Sequence, residues 1–172
     1  LFALCAVASS AQDKVEAGLS ADMVSQYIWR GQDLGHVSIQ PSLDLGYKGF
    51  NLEAWGSVGL SDSSDTCELD LTASYSVAGF TVGVTDYWTD EGDVRYFLYD
   101  AHRTNHLFEA FAGYDFGVLA VNWYTNFAGN DGLNKSGNRA YSSYLELSAP
   151  FRLAGLDWSA TLGVVPYATT TY

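Results

Sequence analysis

The 172-residue sequence predicts an all-β fold, an antiparallel up-and-down transmembrane β-barrel, from three observations. Its side chains alternate apolar and polar with period two, its connections alternate short and long, and aromatic residues gather at both ends of the alternating segments. At least nine strands are visible. Single-chain bacterial barrels close with an even number, so about 10–12 are expected in the intact protein.

The alternation begins at Val15–Arg30. The odd positions Val15, Ala17, Leu19, Ala21, Met23, Tyr27 and Trp29 are apolar, whereas the even positions include Glu16, Ser20, Asp22, Gln26 and Arg30. Successive side chains of a strand point to opposite faces, while a helix repeats at three and four residues, so this period is that of a strand. The pattern recurs in Ser38–Tyr47 (Ile39, Leu43, Leu45, Tyr47), in Phe50–Leu60 (Leu52, Ala54, Val58), through Leu69, Leu71, Ala73, Tyr75 and Val77, and through Phe80, Val82 and Val84. It continues through Phe108, Ala110, Ala112, Tyr114 and Phe116, through Leu119, Val121, Trp123 and Phe127, then in Tyr141–Phe151 and Leu156–Val164. Segments of about ten residues are what a tilted strand needs to cross a bilayer. Asp86 falls on the apolar phase, which suggests a bulge or strand end near Val84, and Tyr96–Asp100 would make a short extra strand within a long loop.

The short connections, Lys48-Gly49, Ala78-Gly79, Gly117-Val118 and Arg152–Gly155, all carry Gly as tight hairpins prefer. The long polar ones are Gly31–Val37, Ser61–Cys67, Thr89–His106 and Gly129–Asn138. One rim with tight turns and one with long loops matches periplasmic turns and extracellular loops. On the apolar phase, Tyr47, Phe50, Tyr75, Phe80, Tyr114, Phe116 and Phe151 lie beside the short turns, and Tyr27, Trp29, Trp88, Phe127 and Tyr141 beside the long loops. These would form the two interfacial girdles. A soluble β-barrel or sandwich, with its apolar face turned inward, is the competing reading of the alternation.

Residues 1–11 (LFALCAVASSA) are too short to span a membrane as a helix and end in small residues, as the remnant of a secretory signal peptide cut after Ala11 would; residues 12–172 are then the barrel, with its carboxy-terminal strands missing. Cys5 would leave with the signal, and a single Cys67 forms no internal disulfide. A net charge of −12 argues against nucleic acid as a partner.

The run Val24-Ser25-Gln26-Tyr27-Ile28-Trp29-Arg30-Gly31, at the end of the first strand, resembles a family of uncharacterised Gram-negative outer-membrane proteins that begin with a Tyr-apolar-aromatic-Arg-Gly strand. The resemblance implies a loosely porin-like barrel of the bacterial outer membrane, with no established substrate.

The polar phase places Glu16, Asp22, Arg30, Asp44, Glu53, Glu68, Asp70, Glu109, Asp115, Glu146 and Asp157 toward the lumen, ten acids against one base. Rings of carboxylates concentrate cations, so the expected function is passive, porin-like passage of small solutes through a cation-favouring lumen. The alternative, acids solvated at strand ends, keeps its weight. Trp55, Tyr87, Phe111, Tyr124 and Tyr144 also point inward and would narrow or close the lumen, leaving a structural or adhesive barrel. A barrel hydrolase is a distant third: Asp100, His102 and His106 would hold a metal or serve acid–base chemistry, although ordinary loop residues are the simpler reading. The acidic loops Asp62–Asp65, Asp90–Asp93 and Asn130–Gly132 would offer hard oxygen ligands for Ca²⁺ or Mg²⁺ bridging to lipopolysaccharide phosphates, although solvated acidic loops are the simpler reading and no spacing matches the EF-hand loop. No catalytic residue, metal site or cofactor is expected; the expected partners are outer-membrane lipid and lipopolysaccharide, with small cations or solutes.

Overall fold

The structure, a computed structural model, describes residues 14–61, 65, 67–92, 95–100, 103–169 and 171–172. The signal-peptide expectation and His102 lie outside the described residues. Among the described residues, nine long strands run β1 (Glu16–Val24), β4 (Ser38–Tyr47), β5 (Phe50–Gly59), β6 (Glu68–Val77), β7 (Phe80–Thr89), β8 (His106–Asp115), β9 (Ala120–Gly129), β10 (Ser143–Leu153) and β11 (Leu156–Val164), and two short ones are β2 (Tyr27–Trp29) and β3 (Gln32–Gly35). The long strands pair antiparallel in one sheet of order β1-β4-β5-β6-β7-β8-β9-β10-β11, while β2 and β3 pair with each other alone. The sheet is an open meander: among the described residues β1 has no partner beyond β4, β11 none beyond β10, and the two edges do not meet. No described helix is long and apolar enough to cross a membrane.

The short turns are built as their sequences require. Lys48-Gly49, Ala78-Gly79 and Ala154-Gly155 have positive φ at both residues (48° and 87°, 50° and 83°, 55° and 79°), the type I′ geometry whose twist matches that of paired strands. The last turn is thus two residues, with Arg152 and Leu153 inside β10. Between β8 and β9, Asp115 Oδ1 accepts a 2.6 Å hydrogen bond from Gly117 N, and the turn closes with Phe116 N donating to Leu119 O at 2.9 Å.

The polarity of the sheet is inverted relative to a water-soluble fold. The large apolar side chains are the exposed ones, Leu19 at 83%, Leu52 at 57% and Val84 at 45%. The buried ones are largely polar: on the polar phase Ser57, Glu109 and Asn126 are at most 1% exposed, and the buried apolar residues among those described are Tyr27, Ala140 and Tyr144. The face that carries the polar phase is therefore the covered one, contrary to the soluble alternative, in which water meets the polar face.

Three local expectations change. The segment Val15–Arg30 is not one strand: β1 ends at Val24, the chain bends at Ser25 and Gln26, and the rest forms the β2–β3 hairpin. Its turn is Arg30-Gly31, with φ of 49° and 80°, the same pairing of a non-glycine and a glycine as in the other tight turns. Tyr27 is consequently buried and Trp29 packs against Tyr87 and Tyr172, so neither belongs to an outer girdle; a tyrosine hydroxyl needs a partner, and Tyr27 finds Glu68. Asp86 makes no bulge, since the register runs unbroken through Leu71↔Asp86 and Asp86↔Phe108; the irregularity in this part of the sheet lies one strand over, between Phe108 and Glu109 of β8 against β9. The segment 96–100 is not a strand but folds against the apolar face, with the Tyr96 ring 5.4 Å from that of Trp88.

Candidate functional site

The β2–β3 hairpin carries Arg30 at its tip onto the polar face, and Glu109 meets it from β8. Arg30 Nη1 lies 2.5 Å from Glu109 Oε2, and Nη2 donates to Oε1 at 2.8 Å, a bidentate pair with side chains 8% and 1% exposed. The Tyr87 hydroxyl of β7 donates to the same Oε1 at 2.9 Å. Around the guanidinium stand rings from three other segments, Tyr124 of β9 at 4.2 Å, Tyr144 of β10 at 4.8 Å and Tyr172 at 5.8 Å, besides Trp29 of the hairpin itself at 4.4 Å. Arg30 also donates to the Tyr172 hydroxyl. A planar cation between ring faces and opposite a forked carboxylate satisfies both the ring quadrupoles and the guanidinium donors. Burial works against the charge of Arg30, but its hydrogen bonds to Glu109 and their attraction outweigh it, and its pKa is raised. Burial pushes the Tyr172 phenol up to about 12, the neighbouring guanidinium offsetting part of the rise.

The aromatics form a ladder across adjacent strands: Phe111, Tyr124, Tyr144 and Tyr172 have successive ring separations of 5.9, 6.2 and 6.0 Å. Glycines beneath make the room. A Cβ on Gly83 would collide with the Phe111 ring, and one on Gly163 with the Tyr144 hydroxyl. A second tie lies nearer β1, where the Tyr27 hydroxyl donates to Glu68 Oε2 at 2.8 Å and its ring stands 5.6 Å from Trp55.

The other carboxylates expected to line a lumen divide by position. Asp44 and Glu53 face each other across β4 and β5, and the Ser42 hydroxyl donates to Asp44 at 3.0 Å. Asp70 sits opposite both Trp55 and Tyr87, with a buried Oδ1 that has no hydrogen-bond partner among the described residues. Glu146 lies between Asn122 and Gly163. Glu16 and Asp22 are exposed on edge strand β1. Asp157 is exposed on edge strand β11 beside Arg152 at 3.5 Å, and Asp115 holds the β8–β9 turn. Arg30 and Glu109 neutralise each other, which leaves Asp44, Glu53 and Asp70 on β4 to β6, Glu146 on β10, and Glu16 and Asp22 on β1 without a cationic partner among the described residues.

A further cluster, not expected from the alternation, lies on the apolar face. His106, fully buried, has Nδ1 2.7 Å from Asp86 Oδ1, Nε2 against the Tyr96 carbonyl, and the Tyr99 ring stacked at 4.2 Å. The misplaced acid Asp86 was its one signal. Both ring nitrogens are engaged, so His106 ties the 95–100 segment to the sheet. In the acidic loops, Asp131 holds Asn126 and the Ser142 amide, each at 3.3 Å. Among the described residues no three His, Cys, Asp or Glu side chains converge as a metal site would need.

The model of a family described as bacterial protein of unknown function, Gcw_chp, matches residues 8–170. The chain belongs to the Gcw_chp family. No curated protein and no solved structure matches it. The Gcw_chp match takes in the whole hairpin, the Arg30–Glu109 pair and all nine long strands.

Proposed function

We propose that this Gcw_chp protein is a β-barrel of the Gram-negative outer membrane, porin-like, passing small solutes through an interior that favours cations and is narrowed by the β2–β3 hairpin. The observation that carries this reading is the inverted polarity of the sheet, with Leu43, Leu52, Leu71 and Val84 exposed on one face and Ser57, Thr85, Glu109 and Asn126 buried on the other. In water an exposed apolar sheet face of this extent drives aggregation, whereas in lipid it is the face that contacts hydrocarbon. Long strands, tight turns at one rim and longer loops at the other support the same orientation. Backbone groups in hydrocarbon must all be paired, so the reading requires the β1 and β11 edges to find partner strands.

A second reading is favoured by the packing around Arg30: a structural or adhesive barrel whose interior is filled. Reconstitution separates the two. The native protein should fractionate with outer membranes, migrate differently on gels before and after heating, and give small cation-selective currents in planar bilayers. Correctly folded protein without conductance would establish the filled barrel, and recovery as a soluble monomer without detergent would overturn both readings.

A further inference from the structure

We propose that Glu109, Tyr87, Tyr124 and Tyr144 form a binding site on the polar face for a guanidinium-bearing solute, and that Arg30 occupies it as the chain's own stand-in for that solute. The site and its occupant come from different parts of the fold. Glu109, Tyr87, Tyr124 and Tyr144 stand on β8, β7, β9 and β10, which lie side by side in the nine-stranded sheet. Arg30 stands on a two-residue turn of a hairpin whose strands pair with no strand of that sheet.

The chemistry selects the ligand. Glu109 offers a buried forked carboxylate fixed by the Tyr87 hydroxyl, with both oxygens taken by guanidinium nitrogens at 2.5 and 2.8 Å. The faces of Tyr124 and Tyr144 lie 4.2 and 4.8 Å from the guanidinium carbon. Two parallel donors and a flat, weakly hydrated cation fit such a cleft, and a compact, strongly hydrated ammonium or metal ion fits it less well. A buried ion pair adds little net stability compared with apolar packing, so the need to hold a hairpin does not by itself account for a carboxylate there. The Phe111 and Tyr144 rings fit over Gly83 and Gly163, where any Cβ would collide, which fixes the wall in shape as well as charge.

The inference rests on the polar face being a barrel interior for the route by which a solute arrives, but not for binding itself. Because Arg30 is tethered, it competes at an effective concentration in the millimolar range, and a free solute must exceed that to enter. The probe is methylguanidinium, with the full-length protein in detergent micelles and binding read by calorimetry and ligand-observed NMR. Arg30→Ala should bind it at least about tenfold more tightly than the native protein, the self-competition being gone, and Arg30→Ala/Glu109→Gln should not bind it. In the native protein, millimolar methylguanidinium should speed amide exchange across residues 27–35 and leave the long strands unchanged. Absence of binding by folded Arg30→Ala, equal binding by the double variant, or binding by the native protein as tight as by Arg30→Ala would overturn the proposal. If Arg30→Ala does not fold, the exchange experiment decides: no selective acceleration at residues 27–35 overturns it. Failure of the channel reading would appear separately, as binding without conductance.

Discussion

At Ala78 the backbone takes φ of 50°, a left-handed conformation that costs an L-residue about 1–2 kcal/mol and that asparagine tolerates better. Ala78→Asn, ahead of Gly79, should therefore raise stability by about 0.5–1 kcal/mol, read as a higher urea midpoint for protein refolded into lipid vesicles. Neighbouring residues on β4 test which face meets which solvent. Leu43 points out from the sheet and is 45% exposed, while Ser42 lies beside Asp44 on the covered face. If the outer face meets lipid, Leu43→Arg should cost about 2–4 kcal/mol in the same vesicles, and Ser42→Arg, placed next to the Asp44 and Glu53 carboxylates, far less. Equal damage at both positions would speak for a tightly packed soluble sheet.

The β2–β3 hairpin decides what the interior holds. Its inward course is fixed by a tight Arg30-Gly31 turn, the Gln26–Asp33 side-chain bond at 2.9 Å, and the anchors Tyr27 to Glu68 and Arg30 to Glu109. Removing one partner of a buried pair strands the other charge in a poorly solvated place, so Glu109→Gln should destabilise the folded protein by about 3–5 kcal/mol. Replacing both, as Arg30→Met/Glu109→Leu, should recover most of that loss, because nothing charged then remains buried without a partner. A single and a double variant with equal urea midpoints would mean that the pair contributes nothing beyond its bulk.

Across the whole molecule, carboxylates and rings share the polar face in different proportions. The β8–β10 sector carries the Phe111, Tyr124 and Tyr144 rings, the neutralised Arg30–Glu109 pair and Glu146, whereas Asp44, Glu53 and Asp70 stand with Trp55 on β4 to β6. Cation preference in a planar bilayer should therefore depend on Glu53 rather than on Glu109. Glu53→Gln should reduce the cation-to-anion permeability ratio at 0.1 M salt, where the Debye length is about 10 Å, and have little effect at 1 M, where it is about 3 Å. A ratio unchanged by Glu53→Gln at low salt would place the selective region elsewhere.

The β class, the nine long strands with their two phases, and three of the two-residue turns are legible in the amino-acid order, because strand period, Gly-bearing hairpins and loop length are local properties that each segment carries alone. That order also carries the signal for the inward hairpin: Arg30-Gly31 has the same form as Lys48-Gly49 and Ala78-Gly79. Unbroken alternation through Trp29 hid it, since period two is the same in a strand that continues and in one that turns back. Which face is covered emerges from the fold, for alternation is symmetric between its two faces. The fold alone pairs Arg30 with Glu109 and Asp86 with His106, which lie 79 and 20 residues apart in the chain. Such pairs depend on where the sheet register and the hairpin bring distant side chains, and no residue's neighbours in sequence encode that distance.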